Sequence, residues 1–83
     1  TPLEAQAMCA PDGLGLLRTM LGGRLEVGGS ATDGRIEIVI RGRNEYALAG
    51  ELAWLTEWLE VTGPQGVRDH LASIGTALVA RYS

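Results

Sequence analysis

Apolar and polar side chains alternate from the start of the chain. Leu3, Ala5, Ala7 and Cys9 fall on one side, and Glu4, Gln6 and Met8 on the other. A period of two predicts a half-buried strand, although Ala is a weak strand former. Pro11-Asp12 then opens a helix. Pro is tolerated in the first turn and Asp complements the positive helix N-terminus. Leu14, Leu17 and Leu21 recur at helical spacing, and Gly22-Gly23 stops the run, since Gly accepts the positive φ of a C-cap. Two strands follow, Arg24–Val27 and Arg35–Arg41, joined by the Gly-, Ser- and Asp-containing segment 28–34. In the second, Ile36, Ile38 and Ile40 oppose Arg35, Glu37, Val39 and Arg41.

Beyond the polar connection at Gly42–Glu45 the period changes. Leu48, Leu52, Leu55 and Leu59 form a narrow helical stripe with Trp54 and Trp58 on its flank. Leu59-Glu60-Val61-Thr62 is β-capable, so this helix is expected to end near Trp58. Gly63-Pro64 breaks the chain. From Pro64 onward Val67, Leu71, Ile74, Leu78 and Tyr82 draw a second long stripe.

The predicted order is therefore strand, helix, strand, strand, helix, strand, helix. The first six elements predict an α+β fold, the ferredoxin-like βαββαβ sandwich, with a four-stranded antiparallel sheet and an additional C-terminal helix. Right-handed crossovers place the first two helices on one face of the sheet. The other face collects Glu4, Gln6, Glu26, Arg35, Glu37 and Arg41, a mixture suited to cross-strand ion pairs. The last helix exceeds the motif. Its stripe must be buried on this sheet or on a neighbouring chain, so the candidate interface residues are Trp54, Trp58, Val67, Leu71, Ile74, Leu78 and Tyr82.

Composition narrows the function classes. Eighty-three residues make one domain, 46% hydrophobic and 20% charged, near the lower practical size for a core without staples. The lone Cys9 rules out an internal disulfide and a cysteine metal cage, and its alternating surroundings predict a buried thiol. No apolar run reaches the ~18–20 residues needed to span a bilayer, and no basic-then-apolar stretch resembles a signal peptide. The net charge is −3 with no basic patch, which argues against nucleic-acid binding, since phosphate neutralisation needs clustered positive charge.

Nothing meets the requirements of an active site. Gly13-Leu14-Gly15-Leu16-Leu17-Arg18 has Arg where a dinucleotide fingerprint needs its third Gly. His70 is the only histidine. Its neighbour Asp69 points about 100° away on a helix, and no second ligand stands at metal spacing. Ser30, Thr32 and Asp33 have no positioned base. Arg41-Gly42-Arg43 is balanced by Glu37 and Glu45, and Glu51, Glu57 and Glu60 read as surface charges. The expectation is no enzyme, no cofactor and no metal. The tryptophans read as packing area at a core edge or interface.

The segment Ile36–Ile40, Trp54-Leu55, Leu59-Glu60-Val61, Pro64, Val67-Arg68 and Arg81-Tyr82 resembles the C-terminal extension of WYL-domain bacterial transcriptional regulators. Trp58 stands where that family usually has Phe, without the Gly that follows it there. The resemblance implies a cytoplasmic parent protein with a DNA-binding winged helix-turn-helix, a central WYL domain, and this module as its C-terminal fragment. That fits a chain opening at Thr1 without Met. The module would be a non-catalytic regulatory or oligomerisation unit. Its partners would be the parent's WYL domain and a second copy in a homodimer, with DNA contacted only through the helix-turn-helix outside this segment and no membrane association. The alternative is a small-molecule-binding ACT-like sensor of the same element order. It would take its ligand at strand–helix loops such as Ala10–Gly13 or Gly42–Glu45.

Overall fold

A computed structural model describes residues 3–83. The elements run β1 (Leu3–Cys9), α1 (Leu14–Leu21), β2 (Leu25–Ser30), β3 (Ile36–Gly42), α2 (Glu45–Ala53), β4 (Leu59–Gly63) and α3 (Gln65–Tyr82), with short 3-10 turns at Pro11–Gly13 and Gly22–Arg24. The fold is α+β, with a four-stranded antiparallel sheet of order β2-β3-β1-β4 and three α-helices.

The register explains the alanines in β1. Ala5 stands opposite Ile40 and Ala7 opposite Ile38, while Ala7 also meets Val61 and Cys9 meets Leu59 on the other side. Small side chains in this central strand thus sit between larger ones from both neighbours. They leave room for Leu17, Leu21, Leu48, Leu52, Leu55 and Val67 above the sheet, and all of these are buried in one cluster. Packing in this central position outweighs the low strand propensity of Ala. The Cys9 thiol is fully buried, and burial together with the nearby Asp12 carboxylate raises its pKa.

On the open face, Arg41 reaches Glu4 at 3.7 Å and Glu26 at 3.2 Å, and Arg35 reaches Glu60 at 2.9 Å. The two Arg41 pairs are cross-strand pairs of the expected kind, and Glu4 and Arg41 are direct register partners; Glu60, read from the sequence as a plain surface charge, instead lies on β4 and pairs with Arg35 just before β3.

Three boundaries differ from the sequence reading. β2 runs on to Ser30 through Gly28-Gly29, with an irregular register against β3 between Val27 and Ser30. The connection to β3 then closes through the Ala31 N–H donating to the Arg35 carbonyl (2.7 Å) and the Asp33 carboxylate accepting from the Arg35 N–H (3.0 Å). The first helix begins as a 3-10 turn at Pro11–Gly13 before α1 proper. α2 ends at Ala53, well short of Trp58. After it, the Leu55 N–H donates to the Leu52 carbonyl (3.0 Å) and the Trp58 N–H to the Leu55 carbonyl (2.9 Å). Bonds spanning three residues tighten the chain and deliver Leu55 and Leu59 to the core from different elements. α2 starts where Asn44 caps it, its side chain accepting from the Ala47 N–H at 2.7 Å. α1 stops at Gly22, whose φ of 57° is open to Gly and strained for other residues.

The Cα radius of gyration is 12.6 Å, above the ~11.8 Å expected for a compact chain of this length. The excess is consistent with the second half of α3, where every residue from Gly75 to Ser83 is exposed.

A candidate interaction surface

The seven residues singled out from the sequence fall into three environments. Val67 is fully buried under α2 and the sheet, and Leu71 and Ile74 are half-buried against the same core. Trp58 is also half-buried. Its ring and Cβ lie directly on Gly13, where any side chain would collide with them, and its carbonyl accepts from the Ala10 N–H at 2.8 Å. Trp54, Leu78 and Tyr82 are exposed, at 57%, 51% and 79%, together with Val79 at 64%. The two tryptophans therefore do not share a helix face, because α2 ends before Trp54 and the turn carries Trp58 away toward β1.

α3 rests on α2 through its first half. His70, half-buried, meets the Tyr46 ring edge-on at 5.7 Å between centroids. Nothing in the local sequence pairs these two residues; only the packing of α2 on α3 does. Past Ile74 the helix continues for about two turns with no covering element. Ala53, Thr56, Leu71, Ile74, Gly75 and Leu78 line a groove of about 190 Å³ along its flank. A second hollow of about 320 Å³, with Glu60 and Arg68 at its rim, continues the groove toward β4. The first is smaller than the ~300–1,000 Å³ typical of small-molecule pockets, and its lining is apolar. Side chains of another helix suit it better than a polar ligand.

Charged groups gather elsewhere. Arg24 holds Glu51 in a two-pronged pair at 2.8 and 2.6 Å, which raises the Arg24 pKa and lowers that of the Glu51 carboxyl. Arg24, Arg41, Gly42 and Arg43 line a shallow dish of about 330 Å³. Two of its three arginines are engaged by Glu51, Glu26 and Glu4. Among the described residues there is no cluster of three or more His, Cys, Asp or Glu able to hold a metal ion. No helix there is long and apolar enough to cross a membrane. Comparison with protein-family models, curated proteins and solved structures finds no match to this chain.

Proposed function

We propose that this chain is a non-catalytic regulatory module that works by packing against other protein surfaces. The observation that carries the reading is α3. Its apolar stripe continues beyond the body and leaves Leu78, Val79 and Tyr82 uncovered, while the ion pairs of the described residues gather on Arg24, Arg35 and Arg41, away from that helix. Monomeric proteins rarely leave a contiguous apolar patch of more than a few hundred Å² bare.

On this reading the fold is the ferredoxin-like βαββαβ sandwich with an added C-terminal helix. The strand order supports it: β3 lies between β1 and β2, and β1 lies between β3 and β4, so each helix-linked strand pair is split by one antiparallel strand. The parent is a cytoplasmic WYL-type helix-turn-helix regulator, as the resemblance of the Arg35–Tyr82 segment implies. The partners are its WYL domain and a second copy of this module. DNA is reached only through the helix-turn-helix outside these residues.

The test is light scattering on the purified chain, with and without the parent's WYL domain, for wild type and Leu78→Glu. The expected result is association that Leu78→Glu abolishes while the far-ultraviolet spectrum is unchanged. A wild-type chain that stays monomeric at millimolar concentration and ignores the WYL domain overturns the reading.

A second reading, the ACT-like sensor, has one observation in its favour. The arginine dish includes Gly42, in the Gly42–Glu45 segment where such a ligand would lie, and Arg43 has no ion-pair partner among the described residues. It expects a carboxylate or phosphate metabolite to raise the melting temperature, and Arg43→Ala to remove that rise.

A further inference from the structure

We infer that the occupant of the α3 surface is the α3 helix of a second copy of this chain, laid antiparallel, with Gly75 of each copy receiving Leu78 of the other. The inference rests on the packing-module reading and names the partner and its register.

Arg68, Leu71, Gly75, Leu78 and Tyr82 are separated by three, four, three and four residues. That is the seam spacing of paired helices, with Arg68, Gly75 and Tyr82 at one kind of position and Leu71 and Leu78 at the other. The seam lies beside the stripe that rests on α2 and shares Leu71 with it. A helix can therefore use both flanks, one for its own body and one for a partner. The seam holds one small residue, Gly75, among four large ones, and an antiparallel register sets that gap against a large side chain of the second copy. In an antiparallel pair related by a two-fold axis between Thr76 and Ala77, Leu78 faces Gly75 of the second copy and Tyr82 faces Leu71. Each contact occurs twice, as an isologous interface requires. No atom stands within 4 Å of the position a Gly75 Cβ would take, so the hole for Leu78 is open.

Charge selects the orientation. A parallel pair would set Arg68 against Arg68 and leave Gly75 facing Gly75, which combines like-charge repulsion with a void. The antiparallel pair separates the two arginines by the length of the helix. It brings Arg68, which forms no ion pair among the described residues, to the face of the partner's Tyr82 ring, a favourable cation–π geometry. The only charged side chain of the bare half is Arg81. Running back along the groove, it approaches the rim that carries Glu60, so the signs are opposed there too. An exposed two-turn helical extension gains little stability by itself. Pairing adds contacts for both copies at once.

The test is disulfide trapping. Gly75→Cys and Leu78→Cys are made singly; both positions are open or exposed, so neither change disturbs the core, and Cys9 is buried and does not compete. Each protein is oxidised alone and as an equal mixture. The expected result is a crosslinked heterodimer in the mixture, several-fold above either homodimer. Gly75→Leu sharpens the test. It fills the hole and weakens association by about tenfold or more, yet leaves the dilute monomer as stable as wild type or more so, because Leu is the better helix former. Self-crosslinking of Leu78→Cys above the mixture means a parallel pair, and a dimer by light scattering with no crosslink means another surface. Either overturns this pairing and leaves the packing-module reading standing. A chain that neither crosslinks nor dimerises overturns the pairing; the module reading then falls only if the WYL domain is ignored as well.

Discussion

The two halves of α3 carry one continuous pattern in two different settings. From Gln65 to Ile74 the stripe is answered: Val67 is buried, Leu71 and Ile74 lean on the core, and His70 meets Tyr46. From Gly75 to Tyr82 the same spacing continues, but every residue is exposed. Periodicity thus identifies the side of a helix that is to be covered and is silent about what covers it. The length of the sheet and of α2 decides where intramolecular cover runs out. For a helix of 18 residues on a body this small, that point is near its middle.

The contrast is broken most sharply by placing the same charge in each half. Val67→Asp puts an unpaired carboxylate into the core and is expected to cost about 4 kcal/mol. That is most of the ~3–5 kcal/mol a core of this size supplies, so urea melts should find the variant largely unfolded. Leu78→Asp, measured on dilute monomer, should lie within about 0.5 kcal/mol of wild type. If Leu78→Asp unfolds the dilute monomer as Val67→Asp does, the second half is covered by its own chain after all.

The tryptophans repeat the contrast at smaller scale. Trp58 lies on Gly13, and Trp54 is open to solvent. Gly13→Ala would drive a Cβ into the Trp58 side chain next to its own backbone, where little can yield, and should cost about 1–3 kcal/mol. Gly15→Ala, two residues further on inside α1 with open space around it, should instead stabilise by about 0.5–1 kcal/mol. Trp58→Ala should cost about 2–3 kcal/mol and Trp54→Ala less than about 0.5. Thermal melts of the four variants, all at low concentration, would sort them into these two groups.

Much of the architecture was legible. The alternation of Ile36, Ile38 and Ile40, the Leu14-Leu17 spacing stopped by Gly22, the break at Gly63-Pro64 and the charged outer face all appear at or near their predicted places. The end of α2 was not legible. The strand at Leu59 was legible, but the Leu48-Leu52-Leu55 spacing is compatible with a helix reaching Trp58, and only the tight turn after Ala53 reveals that Leu55 enters the core from outside α2. No local pattern separates Gly13 from Gly15; the packing of Trp58 on Gly13 alone is a long-range fact. The same holds for the surface. The sequence offered Trp54, Trp58, Val67, Leu71, Ile74, Leu78 and Tyr82 as one set, and the structure divides them by depth.

The smallest expected effect concerns the platform under the covered half of α3. Arg24 and Glu51 join α2 to the turn before β2, and the Arg24 guanidinium holds the Glu51 carboxyl below its ordinary value of 4.5. A carboxyl whose pKa is lower folded than unfolded stabilises the fold at pH above the unfolded value, and that contribution fades as pH falls through the folded value. Both side chains are 42% exposed, so solvent screening limits the pair to about 0.5 kcal/mol, or roughly 2–4 °C in melting temperature. Glu51→Gln should therefore melt lower than wild type at pH 7, and the gap should close as pH drops below 4.5. The effect belongs to the body alone. The bare half of α3 has no carboxylate side chain from Gly75 to Tyr82, so Glu51→Gln should leave self-association at pH 7 unchanged. A change in association of the same size as the change in melting would mean that the two halves of the helix are not independent.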